Sequence, residues 1–260
     1  MICRTAVFFF LFFYLNCEAL LVSDLSHVSS YERGEERIIA VRLTNDKETA
    51  EQVNFKLCDY ACNAEGEHFF EEYERFPRSN ADWITLSGAR IILQPKETAD
   101  YFFKIRIPSD PSLQGSYWSV LLIEPDRPFD PSQLKREEGF QLYVKLRYAY
   151  HIVTSLYGGR PKLEIIKNFL TEVDNQSTIC IDVKNGGTLF LQPSITLKLF
   201  SKDGKLEKTL AGKKERLYPG SSQRYFLDGK GMKEKSYTAF LLLDNGDQYL
   251  FGETFPIRFE

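Results

Sequence analysis

The chain has 260 residues, with 33 Lys and Arg against 36 Asp and Glu for a formal net charge of −3. So even a balance lacks the basic face a nucleic-acid binder needs to neutralise phosphates. Of the five cysteines, Cys3 and Cys17 fall in the N-terminal segment. Cys58, Cys62 and Cys180 remain, too few for a disulfide scaffold, so a hydrophobic core must carry the stability.

Residues 1–19 read as a secretory signal peptide. Arg4 sits in a short head, Ala6 to Leu15 is an uncharged Phe-rich run, and Ala19 follows at the expected cleavage site. The run is shorter than the ~20 residues a bilayer-spanning helix needs. Acylation at Cys17 is the competing reading, weakened by Asn16 where a small residue should precede it. No later run is long and apolar enough to predict a membrane span.

The mature chain reads as strands almost throughout. In 37–45, Ile39, Val41 and Leu43 share one face, and in 52–57 Val53, Phe55 and Leu57 do the same. In 98–108, Ala99, Tyr101, Phe103, Ile105 and Ile107 oppose Asp100, Lys104 and Arg106. In 139–151, Phe140, Leu142, Val144, Leu146, Tyr148 and Tyr150 oppose Gln141, Lys145 and Arg147. A period of two is the mark of a half-buried strand, because successive side chains leave opposite faces of a sheet.

Between these strands, the Cys58–Cys62 spacing suggests a small disulfide loop, provided the chain turns there. Free thiols and a metal site with His68 are the competing readings. Residues 60–80 and 125–138 are expected as long loops, with a turn or short helix over 69–75. Trp83 and Trp118 sit in strand patterns and are expected as core pillars rather than a ligand platform. Gly158, Gly159 and Pro161 mark a linker over 154–162. In the strand 177–185, Cys180 faces away from Ile179, Ile181 and Val183, and a sheltered thiol is expected.

The second half repeats the first. Pro95 leads to Tyr101-Phe102 as Pro219 leads to Tyr225-Phe226. Val41-Arg42-Leu43-Thr44-Asn45 corresponds to Ile181-Asp182-Val183-Lys184-Asn185, and the strand from Tyr117 to the one from Tyr237. The expectation is an all-β protein of two tandem immunoglobulin-like β-sandwich domains after the signal peptide, 20–153 and 163–260.

The ordered set 20–27, Val41 to Asn45, Trp83-Ile84-Thr85-Leu86, Leu93-Gln94-Pro95, Phe103 to Pro108, Gly115-Ser116-Tyr117-Trp118 and Leu142 to His151 is similar to the first domain of the PapD-like periplasmic pilus-assembly chaperones. It also resembles the related two-domain surface proteins that partner WxL proteins. Val183 to Gly187, Leu217 to Gly220 and Tyr237 to Leu243 resemble the second domain of such chaperones. These motifs are turns and core positions, so they speak more to fold than to function.

The resemblance implies that Phe140, Leu142, Val144 and Leu146 are lent to a client by strand addition. The plain alternative is that they fill their own domain's core. It also implies a client-carboxylate anchor, for which Lys145 and Arg147 are the residues on offer. The first strand, 20–27, holds no Lys or Arg, and His27 is its one titratable cation.

His27, His68 and His151 are scattered, and neither a zinc motif nor a phosphate loop is present. The expectation is therefore a non-enzyme without cofactor or small-molecule substrate. It would sit in the periplasm or on the cell surface and bind another exported protein, a pilus-like subunit or envelope protein. The rival reading is a surface adhesin or cell-wall-binding module using loops 60–80 and 125–138.

Overall fold

The computed structural model describes residues 19–71, 76–126, 146–173, 176–230, 236–246 and 249–258. The predicted signal peptide up to residue 18 lies outside these, as do Phe140, Leu142, Val144, Lys145 and the part of the expected loop 125–138 from residue 127 on.

The strands of the first half are β1 (Leu20–Val22), β2 (Ser26–Ser30), β3 (Glu36–Asn45), β4 (Glu51–Cys62), β5 (His68–Glu71), β6 (Ile84–Leu86), β7 (Arg90–Leu93), β8 (Thr98–Arg106), β9 (Gly115–Asp126) and β10 (Tyr148–Leu156). Those of the second are β11 (Leu163–Val173), β12 (Gln176–Asn185), β13 (Ser194–Phe200), β14 (Leu206–Gly212), β15 (Ser222–Asp228), β16 (Ser236–Asp244) and β17 (Leu250–Arg258). One 3₁₀ turn, Ala81–Trp83, precedes β6.

They form two sandwiches, as the double repeat predicts. In the first, the sheet β1-β3-β8-β6 faces the sheet β2-β10-β9-β4-β5, with β7 also on β4. In the second, β11-β12-β15 faces β14-β13-β16-β17. The period-two faces meet as expected. Val41, Leu43, Val53, Phe55, Tyr101, Phe103 and Ile105 are buried in the first core, and Ile179, Ile181, Val183, Ile195, Leu197 and Leu241 in the second.

The repeat extends to a polar clamp in each domain. Asn45 Nδ2 donates to the carbonyls of Thr49 and Gln94 at 2.8 and 3.0 Å, and its Oδ1 accepts from the Lys47 N–H at 3.1 Å. Asn185 Nδ2 donates to the carbonyls of Leu189 and Leu217 at 2.7 and 2.8 Å, and its Oδ1 accepts from the Gly187 N–H at 2.9 Å. Both side chains are fully buried. Each ties the turn after its strand to a more distant one, so buried backbone carbonyls find donors.

Four expectations need correction. Cys58 and Cys62 are free thiols. Both belong to the continuous strand β4, where four residues at ~3.3 Å each hold the α-carbons too far apart for a disulfide. No helix forms at the start of 69–75, because His68–Glu71 pairs with β4 as a hairpin. Part of the predicted loop 60–80 is thus strand, over 60–62 and 68–71, and β9 likewise runs through Pro125 into Asp126. Finally, β10 continues to Leu156, so the first three residues of the expected linker are strand. Cys180 is buried, as expected.

Candidate functional site

The strand β9 explains how the domains meet. Its run Tyr117 to Ile123 is apolar at nearly every position, and all of it is buried. Tyr117, Leu121 and Ile123 fill the first core. Trp118, Val120 and Leu122 point the other way and join Cys58, Tyr60, Cys62, Val153 and Tyr218 in a third cluster. A strand buried on both faces reads as continuous rather than alternating.

That cluster is the domain seam. Tyr218, fully buried, comes from the second domain. Its ring lies 5.4 Å from Tyr60 and 5.1 Å from Trp118, centroid to centroid. Its hydroxyl hydrogen-bonds His151 Nδ1 of β10 at 2.7 Å. The indole N–H of Trp118 donates to the Tyr60 carbonyl at 2.7 Å, so this tryptophan is a pillar of the seam, whereas Trp83 packs on the first core beside Tyr117. Burial pushes the His151 imidazolium pKa down to about 3, with Arg216 adding to the effect, so the ring is neutral at pH 7.

Backbone contacts close the seam. Ser116 N–H donates to the Thr188 carbonyl at 2.7 Å, and the Phe190 N–H donates to Ser116 Oγ at 2.8 Å. Gly115 is required at this approach: its φ is +76°, and a Cβ there would stand 2.3 Å from the Thr188 oxygen. A Cβ on Gly159 would stand 2.3 Å from Leu189 Cδ2, so the Gly-Gly linker serves close packing as well as turning.

Just upstream of the seam, β10 has an open edge. Antiparallel pairing with β9 runs from Tyr148 to Leu156. On its other side, parallel pairing with β2 begins only at His151, opposite Ser26, where the His151 N–H donates to the Leu25 carbonyl at 3.0 Å. Tyr148, Ala149 and Tyr150 therefore have β9 on one side and, among the described residues, no strand on the other.

Several other edges are blunted. β1 and β6 are three residues long, β11 carries a bulge between Ile165 and Lys167, and β17 carries Pro256. Short length, bulges and proline are devices that discourage pairing with another chain.

Of the residues predicted to bind a client strand or its carboxylate, Leu146 and Arg147 are described. Both are exposed and lie at the upstream end of this open edge. Arg147 is engaged, its Nε 2.6 Å from Glu124 Oε1. His27 is hydrogen-bonded to the Tyr31 hydroxyl at 2.8 Å, and burial followed by Arg37 lowers its pKa. It therefore adds no cation to the first strand at neutral pH. The tip of the β4–β5 hairpin, within the predicted loop 60–80, is spent on the second domain: the Ala64 N–H donates to Ser222 Oγ at 3.0 Å.

No family model matches the sequence, and no curated protein matches it. Solved structures do. A chain of the chaperone–tip adhesin complex of CFA/I fimbriae biogenesis superposes with a TM-score of 0.50 at 12% identity, covering 92% of this chain and 98% of that one. The class 5 fimbriae chaperone CfaA gives 0.47 at 15% identity, with 92% and 99% covered. The E. coli chaperone DraB gives 0.41 at 12%, with 94% and 98% covered. At such identities the first of these is a likeness of fold, and with the two sandwiches and their shared seam it gives the conclusion that this chain has the two-domain fold of the PapD-like fimbrial chaperones.

Proposed function

We propose that the protein binds another exported protein by accepting one of its strands at the open edge of β10. The carrying observation is that β2 pairs with β10 only from His151 onward, while the ladder with β9 extends upstream to Tyr148. A strand laid there would extend the sheet along β10 through main-chain hydrogen bonds, and alternate side chains would set the selectivity.

Three further points support this reading. Phe140, Leu142, Val144 and Leu146 continue in the sequence the alternation of Tyr148 and Tyr150. One solved structure of this fold comes from a chaperone–tip adhesin complex, in which the chaperone is held with a second protein. The Phe-rich N-terminus fits export to the envelope, where such a partner is met. In the sequence alternation Lys145 and Arg147 fall opposite that apolar set and are the cations on offer for a partner's carboxylate, Arg147 being paired with Glu124.

The test replaces Leu142 and Val144 with aspartate in the full chain. The expected result is loss of partner capture from an envelope extract, with thermal unfolding unchanged within a few degrees. Loss of folding together with capture shows these residues to be core and ends the strand-addition reading.

A further inference from the structure

The sheet of domain 1 opposite β10 carries a cleft of about 430 Å³, a volume in the range of small-ligand sites. Its lining combines Asp82 and Trp83 of the 3₁₀ turn, Thr85 of β6, Lys104 and Arg106 of β8, and Ser109. Thr85 and Lys104 are cross-strand partners, so their side chains leave one face of the sheet side by side. Backbone bonds fix the turn that closes the cleft: the Gly34 N–H donates to the Ile107 carbonyl at 3.1 Å, and the Ile107 N–H to the Glu35 carbonyl at 2.9 Å. Trp83 packs against Tyr117 at 4.6 Å between ring centroids, which holds the half-buried indole in place. The cleft is therefore preformed.

Its polar groups define what fits. Among the described residues, nothing accepts from the Trp83 indole N–H, whereas that of Trp118 donates to the Tyr60 carbonyl. Among the same residues the Asp82 carboxylate has no donor, and the Thr85 and Ser109 hydroxyls have no partner. Glu36 answers both cations, its Oε2 2.6 Å from Arg106 Nε and its Oε1 3.5 Å from Lys104 Nζ. Two cations thus meet two carboxylates, and the cleft is electrically balanced.

This set selects against most ligand classes. An anion finds its cations already paired and Asp82 repelling it, and a cation meets Lys104 and Arg106. An apolar ligand would cover donors and acceptors without pairing them. Hydroxyl groups suit the mixture, because each one both donates and accepts. A sugar ring adds C–H groups that pack on the electron-rich face of an indole.

We propose that this cleft binds a neutral pyranose saccharide, packed on Trp83 and hydrogen-bonded by Asp82, Thr85 and Lys104. The site is independent of strand addition, since β6 and β8 belong to the other sheet from β10.

The experiment titrates the full chain with cellotriose, maltotriose and triacetylchitotriose by calorimetry. Acrylamide quenching of tryptophan fluorescence is read in parallel. It reports mainly on Trp83, because the chain has two tryptophans and Trp118 is 7% exposed. At least one trisaccharide should bind at millimolar strength or better and shield Trp83 from acrylamide. Asp82→Asn and Trp83→Phe should each weaken it about tenfold, the loss of one hydrogen bond to the ligand. Asp82 and Thr85 are exposed, so Asp82→Asn and Thr85→Val carry the test should Trp83→Phe disturb the core. Inorganic phosphate and a Gly-Ser tetrapeptide should not compete.

Failure of all three trisaccharides to bind overturns the proposal. Binding that survives both Asp82→Asn and Thr85→Val unchanged places the sugar elsewhere and also overturns it. Displacement by phosphate assigns the cleft to anions, and displacement by the tetrapeptide assigns it to polypeptide; either result overturns the saccharide assignment.

Discussion

Each domain places an ion pair at the same point of its fold, with the signs reversed. In the first, Arg42 of β3 pairs with Asp100 of β8, Nε to Oδ1 at 2.9 Å. In the second, Asp182 of β12 pairs with Arg224 of β15 at 2.7 Å. Arg42 and Asp182 each lie three residues before a clamp asparagine, and Asp100 and Arg224 each precede a buried tyrosine. The environments differ. The Asp100 side chain is 32% exposed and Asp182 only 2%. The β4–β5 hairpin of domain 1 docks beside the second pair, at the start of β15, where Gln223 Nε2 donates to Cys62 Sγ at 3.2 Å. Phe169 lies under the Arg224 guanidinium at 4.8 Å. The register conserves complementarity, and burial decides what the pair is worth.

The sharpest way to break this comparison is to cut both pairs. Arg224→Ala leaves the Asp182 carboxylate buried without its partner and should cost about 3 kcal/mol or more in denaturant unfolding. Arg42→Ala leaves a solvated Asp100 and should shift the midpoint barely beyond scatter. Equal losses at the two sites would refute the assignment of their difference to burial.

The seam gives the next effect, through pH. The unfolded chain takes up a proton on His151 near pH 6.5, whereas the folded chain resists until about pH 3. Stability from this group is therefore full above pH 6.5 and declines as pH falls toward 3. Between pH 6.5 and 4 the loss should be roughly 3 kcal/mol. His151→Gln should flatten that part of the profile, and an unchanged slope in the variant would place the proton uptake elsewhere.

A smaller change is expected at Tyr218. Tyr218→Phe keeps the ring among Tyr60 and Trp118 but leaves His151 Nδ1 unpaired, at a cost of about 1–2 kcal/mol. Combined with His151→Gln it should cost less than the sum of the two single changes, since both remove one bond.

The strands and the two cores were legible in the sequence because period-two alternation is a local signal, and the matched motifs ending at Asn45 and Asn185 exposed the repeat without revealing the clamps. The seam was not, although a signal existed. Tyr117 to Ile123 does not alternate, whereas its counterpart Tyr237 to Leu243 buries every second residue. That contrast says that one strand is covered on both faces and the other on one. The supposed Cys58–Cys62 loop failed for a different reason: it needed a turn inside a segment whose apolar alternation continues as strand. The open edge of β10 depends on where β2 begins, and strand pairing between residues more than a hundred apart leaves no trace in either segment alone.

The most direct measurement is amide hydrogen exchange on the full chain with and without its captured partner. Added protection confined to β10 upstream of His151 and the residues leading into it, with β11 and β17 unchanged, is the predicted result. Protection gained at the edges of the second domain instead, or nowhere along β10, would contradict a strand docked beside Tyr148 to Tyr150.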